Sequence, residues 1–127
     1  SSKLLDMLRY PNVVLYQNAS SQKIQELYQL SDIYLDINHS NELLQAVRQA
    51  FEHNLLIFGF NQTVHNRLYI APDHLFESSE VSALVETVKL ALSDVDQMRQ
   101  ALGKQGQHAN YVDLVRYQET MQTVLGG

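Results

Sequence analysis

Apolar residues follow two rhythms along this chain. Short unbroken apolar runs, Asn12–Gln17, Asp32–Ile37 and Leu55–Phe60, alternate with stretches in which apolar positions recur every three or four residues. The first rhythm predicts strands covered on both faces, and the second predicts amphipathic helices. Lys3–Tyr10 opens the chain as a helix carrying Leu4, Leu5, Met7 and Leu8, and Pro11 stops it. After the first strand, Ser20 or Ser21 caps a helix with Ile24, Leu27 and Tyr28 on one face, ending near Leu30. Between the second and third strands, Leu43, Leu44, Val47, Ala50 and Phe51 form one stripe, while Glu42, Gln45, Arg48, Gln49 and Glu52 form the other. This is the crossover helix that parallel strands require.

Downstream, Leu68–Ala71 reads as a fourth, short strand before Pro72-Asp73. Ser78 or Ser79 then caps a periodic helix whose core face is Val81, Leu84, Val85, Val88 and Leu92. Asp94 with Gln97 resembles a capping box for a further helix through Met98 and Leu102, which Gly103 and Gly106 break. A last helix, about His108 to Leu125, aligns Tyr111, Leu114, Val115, Gln118, Met121 and Leu125. The order α-β-α-β-α-β-(β)-α-α-α predicts an α/β fold, Rossmann-like, in three α/β/α layers, with a parallel sheet of three to four strands and C-terminal helices. A chain opening on a helix with no strand to cross over from is expected to be the C-terminal part of a larger protein.

Composition narrows the chemistry. The 127 residues make one domain, 45% hydrophobic and 18% charged. A formal charge of -5, with nine scattered Lys and Arg, argues against nucleic acid as a partner. The absence of cysteine removes disulfides, thiolate metal sites and cysteine nucleophiles, and fits a reducing compartment. No segment approaches the ~20 apolar residues of a membrane span. The expected location is cytoplasmic, at most peripheral to a membrane.

Candidate functional residues gather where predicted strands end. In open parallel sheets ligands bind at strand carboxyl ends, beside helix N-termini. The turn Asn38-His39-Ser40-Asn41 follows the second strand there; it either holds a phosphate or carboxylate or simply caps the helix through Asn38 or Ser40. His39 is either a donor to a diphosphate, or a general acid or base, or incidental. Asp36, inside an apolar strand, reads best as a structural hydrogen-bond acceptor. The polar loop Asn61-Gln62-Thr63-Val64-His65-Asn66-Arg67 follows the third strand on the same sheet edge, so the two loops face one crevice or the second is a plain solvated loop. The five histidines show no metal-ligand spacing, so neither a metal nor a cofactor is expected. There is no Walker loop, no G-x-S-x-G elbow and no G-x-G-x-x-G. A phosphoacceptor domain built on Asp36 would need further acidic and lysine residues that are absent.

The string from Ser31 to Pro72 resembles the C-terminal nucleotide-binding half of a two-domain glycosyltransferase of the GT-B architecture; the likeness is good from about Asn12 to Ser93 and thin in the last two helices, and implies that residues 1–127 form one such half. More closely, the pieces D-I-Y-L-D-I-N-H, A-F-E-H-N and H-N-R-L-Y-I-A-P resemble the accessory, chaperone-like subunit of the bacterial complex that attaches N-acetylglucosamine to serine-rich-repeat adhesins before export by the accessory Sec system. Retaining enzymes of this architecture usually carry two glutamates separated by seven residues, at the donor's diphosphate and ribose. Aligning Gln49-Ala50 with the usual Glu-Ala places amides, Asn41 and Gln49, in both positions, with Glu42 one residue off. An amide carries no charge with which to grip a ribose or steady a leaving diphosphate.

The resemblance therefore implies no catalytic residue here. It implies a subunit that binds the adhesin acceptor and stabilises a catalytic sister glycosyltransferase, with a cleft lined by Asn38, His39, Ser40, Asn41, Glu42, Gln49, Gln62, Thr63, His65, Asn66 and Arg67. Two alternatives stand beside it. One is a competent retaining enzyme that binds a UDP-sugar, with Glu42 and His39 at the diphosphate. The other is an interaction module with a vestigial cleft, docking through the helix faces Val81–Leu92 or Tyr111–Leu125.

Overall fold

The computed structural model describes residues 13–15, 26, 29–37 and 45–126. The strands are β1 (Val13–Leu15), β2 (Ile33–Asp36), β3 (Leu56–Phe60) and β4 (Leu75–Phe76); the helices are α1 (Ala46–Glu52), α2 (Val81–Ser93) and α3 (Val95–Gly126). All three strand pairings are parallel, in the order β1-β2-β3-β4. The expected helix Lys3–Tyr10 and the start of the crossover helix lie outside the described residues. Of the helix expected to end near Leu30, Glu26, Gln29 and Leu30 are described, and all three are helical.

Strand alternation sorts the core into two layers. Ile33, Leu35, Leu56, Phe58 and Phe60 face one side, where Leu84, Val85, Val88 and Ala91 of α2 cover them. Tyr34 and Ile57 face the other, against Ala46, Val47 and Ala50 of α1 and Ile70. Both faces of the sheet are thus covered, as the unbroken apolar runs required. Helix α1 ends in a Schellman motif, in which Leu55 N–H donates to Ala50 O and Asn54 N–H to Phe51 O, both at 3.0 Å. Asn54 takes the left-handed conformation, φ 62°, that this motif needs and that asparagine tolerates. The turn delivers the chain into β3.

Three expectations are corrected. Leu68–Ala71 is not a strand. Asn66 Oδ1 accepts from Leu68 N–H at 3.1 Å, which coils Arg67–Tyr69 into a 3-10 turn, and the run is apolar because Ile70 and Ala71 are buried. The fourth strand is instead Leu75–Phe76, paired with Gly59 and Phe60.

Neither Ser78 nor Ser79 caps α2. Glu80 is the N-cap residue, and its carboxylate turns back to accept Glu77 N–H at 2.8 Å.

Gly103 and Gly106 do not break a helix; α3 runs through both. Two helical glycines cost about 1 kcal/mol each. That is outweighed by Met98, Ala101 and Leu102 packing on the core, by buried Ala109, and by two hydrogen bonds from Gln105. The Asp94 cap does form, its Oδ1 accepting Gln97 N–H at 2.7 Å.

The line of Tyr111, Leu114, Val115, Gln118 and Met121 is turned away from the core. Tyr111 and Leu114 are 66% and 54% exposed, and Val115 and Met121 are half-buried. At about 100° per residue these positions lie roughly opposite Met98, Leu102, Gln105 and Ala109, so docking the first half of α3 turns them outward.

Candidate functional site

The carboxyl ends of β2 and β3 are tied together by the loop after β3. Asp36 closes β2 directly opposite Gly59. A Cβ on Gly59 would run into Val64 Cγ1 and come within 2.8 Å of Asp36 O, so the absence of a side chain lets the loop lie down on the strand end. Thr63, buried, donates its hydroxyl to Asp36 O at 3.0 Å and to Phe60 O at 3.3 Å. The Asp36 carboxylate, 1% exposed, accepts His65 N–H on Oδ2 at 2.7 Å and the His65 ring on Oδ1 at 2.6 Å. A carboxylate only accepts, so His65 Nδ1 carries the proton. Asp36 thus acts as the structural acceptor expected of it, and its burial is offset by charge-assisted bonds.

A second network joins this loop to the segment after β4. Asn61 N–H donates to Phe76 O at 2.8 Å, extending the β3–β4 pairing by one bond. Glu77 receives Asn61 Nδ2 at 2.8 Å and Gln62 Nε2 at 2.6 Å, while Gln62 Oε1 accepts Ser78 N–H at 3.1 Å. Arg67 donates to Asn61 Oδ1 and to Asn61 O, both at 2.8 Å. Bonds from Gln62 and then Asn61, with a lesser pull from Arg67 and against a small effect of desolvation, hold the Glu77 carboxyl below the usual glutamate value.

Among the expected cleft residues, Gln62, Thr63, His65, Asn66 and Arg67 are brought together as one folded loop at the sheet's carboxyl edge. Gln49 sits half-buried on α1, where its carbonyl accepts His53 N–H at 3.0 Å and His53 Nδ1–H at 2.8 Å. Asn38, His39, Ser40, Asn41 and Glu42 lie outside the described residues. Glu77, which organises the second network, was not singled out in the sequence; its only signal was an acidic residue directly after an apolar pair. Among the described residues no group of three metal-competent side chains occurs. Among the described residues, the Asn61 and Gln62 amides are directed at an internal carboxylate and the Arg67 guanidinium at the Asn61 oxygens.

Two grooves lie elsewhere. One of about 440 Å³ runs along the α2–α3 corner, lined by Asp32, Leu92, Asp94, Val95 and Met98. Another of about 260 Å³ lies between the turn Pro72–His74 and helices α2 and α3. Neither includes a residue of the 61–67 loop.

Comparison with known proteins places this geometry. The model of the GftB/GlyA-F C-terminal domain family matches residues 1–105. The UDP-N-acetylglucosamine–peptide N-acetylglucosaminyltransferase stabilizing protein GtfB of Streptococcus pneumoniae serotype 4 is 95% identical over 127 residues, 100% of this chain and 28% of that protein. The protein of the same name from Streptococcus gordonii is 60% identical over the same coverage. Glycosyltransferase GlyE of Streptococcus pneumoniae is 27% identical over 90 residues, 70% of this chain and 22% of that protein. A chain in the crystal structure of the GtfA/B complex bound to UDP and GlcNAc superposes with a TM-score of 0.66 at 59% identity, over 98% of this chain and 28% of that one. This chain therefore spans 28% of the length of those two stabilizing proteins.

Proposed function

Because the chain belongs to the GftB/GlyA-F C-terminal domain family, we propose that it serves as the nucleotide-binding-like half of a stabilising, acceptor-binding subunit. Its partner is a catalytic sister glycosyltransferase, and the complex transfers N-acetylglucosamine to Ser and Thr of serine-rich-repeat adhesins on the cytoplasmic side. The single observation that favours this role over donor catalysis is the state of the loop after β3. Arg67 is spent on Asn61, and the Asn61 and Gln62 amides are spent on Glu77, so these donors are satisfied within the chain. A neutral amide at Gln49, where a retaining enzyme carries a carboxylate, points the same way. An edge whose cation is engaged within the chain suits an uncharged, hydroxyl-bearing peptide better than a diphosphate, which needs positive charge directed at it.

Calorimetric titration of the full-length protein, separately with UDP-N-acetylglucosamine and with a serine-rich acceptor peptide, tests this reading. Peptide binding without sugar-nucleotide binding is the expected result. Release of UDP from the sugar nucleotide by the protein without its partner would replace this reading with a competent enzyme. Binding of neither ligand would replace it with a bare interaction module.

A further inference from the structure

His74 stands where the sheet, α2 and α3 meet, away from the carboxyl edge. It ends the turn Pro72–His74, is only 8% exposed, and its ring lies 4.4 Å from the Phe58 ring at a 35° tilt. Its Nδ1 is buried without a hydrogen-bond partner. Polar groups this deeply buried nearly always find one. His74 also lines the groove of about 260 Å³, together with Asp73 from its own turn, Thr87, Leu90 and Ala91 from α2, and Lys104 from α3. The charged groups beside it are therefore Asp73 and Lys104; α2 brings none to this wall, and β3 presents Phe58.

A neutral imidazole fits this setting at modest cost. An imidazolium has donors on both ring nitrogens, one of them buried with no acceptor, and places a charge in an apolar wall with Lys104 nearby. Burial, opposed by Asp73 and assisted by Lys104, accordingly lowers the His74 pKa below 6.5. The folded state therefore binds the proton less readily than the unfolded chain. Stability from this site is complete above pH 6.5 and declines as the pH falls from there towards the folded value.

Lys104 immediately precedes Gln105, whose side chain bonds the outer edge of β3. We propose that His74 is an acid-sensitive wedge: on protonation it loosens the 72–74 turn and the adjoining stretch of α3, releasing the Gln105 amide from β3 while the β2–β3 pairing stays closed. The inference stands independently of the proposed function.

Amide hydrogen exchange of the intact protein, corrected for intrinsic rates, separates the two sides of β3. Ile57 N–H is held by Gln105 Oε1, whereas Leu56 N–H is held by Asp32 O in β2's direction. Between pH 7.5 and 5.5, Ile57 is expected to lose protection relative to Leu56. The midpoint of that loss should coincide with the His74 ring titration followed by NMR. His74→Phe, which keeps a ring against Phe58 and cannot titrate, should abolish the difference. Joint loss at both amides, no loss at either, persistence in His74→Phe, or a ring midpoint at or above 6.5 in the native protein would each overturn the proposal. The last readout needs no variant.

Discussion

Replacing Gln105 with methionine should cost this fold more than any single core methylene. Gln105 is 2% exposed; its Oε1 accepts Ile57 N–H at 2.8 Å and its Nε2 donates to Leu55 O at 2.9 Å. On a parallel strand, one residue opposite Leu56 would make the same two bonds, so a side-chain amide stands in for a strand where β4 does not reach. Methionine keeps the length and much of the volume, which leaves little cavity term. What remains is one orphaned N–H and one orphaned C=O beside residues that are fully buried. At about 1–3 kcal/mol for each unsatisfied group, the loss is about 2–6 kcal/mol, a large share of the ~5–15 kcal/mol that holds a typical domain. Urea denaturation should show the midpoint falling by about 1 M or more for a slope of ~1–3 kcal/mol per molar. Gln105→Glu adds a sign test. The ionised carboxylate still accepts from Ile57 but faces Leu55 O with a second acceptor, so the folded state raises its pKa and the variant regains stability on acidification, when the carboxyl can donate. A Gln105→Met protein within ~0.5 kcal/mol of wild type would refute the surrogate-strand account, given what each buried bond is worth.

Three further outcomes follow from the same geometry. Gly103→Ala and Gly106→Ala should each stabilise the protein by about 0.5–1 kcal/mol in thermal or urea denaturation, because a Cβ at either position meets nothing within 4 Å and alanine is the better helix former. Gly59→Ala should destabilise by about 1–3 kcal/mol through overpacking, and the backbone NMR shifts of Val64 and His65 should move, since the new methyl pushes the loop off Asp36. The Glu77 carboxyl should titrate by NMR below 4.5, the ordinary value, and Gln62→Ala should bring it back up; the network's contribution is present above the ordinary value and is lost as pH falls through the lowered one.

What could be read from the sequence was whatever a periodic pattern or a local cap controls. Ile33–Asp36 and Leu56–Phe60 were legible because both faces are buried, and Asp94 because its cap closes within three residues. The parallel topology followed from the crossover between those strands, as did the placing of residues 61–67 at the carboxyl edge. Leu68–Ala71 was misread because an apolar run looks alike whether a sheet or a buried turn consumes it, and the choice lay with the Asn66 side chain. Gln105 was invisible for a related reason. Two nearby glycines promised a break, which cut the period Met98, Leu102, Gln105, Ala109 in half and hid a polar residue on a core face. Glu77 was overlooked because its partners are 15 and 16 residues away, beyond the reach of any local rule.

The abbreviated β4 has a consequence for how the molecule behaves in company. A long bare strand flank presents a row of peptide groups on which a neighbouring chain can lay down another strand, the opening step of aggregation. At this edge, among the described residues, the flank is two residues of β4 and one glutamine amide, which gives an incoming chain little to copy there.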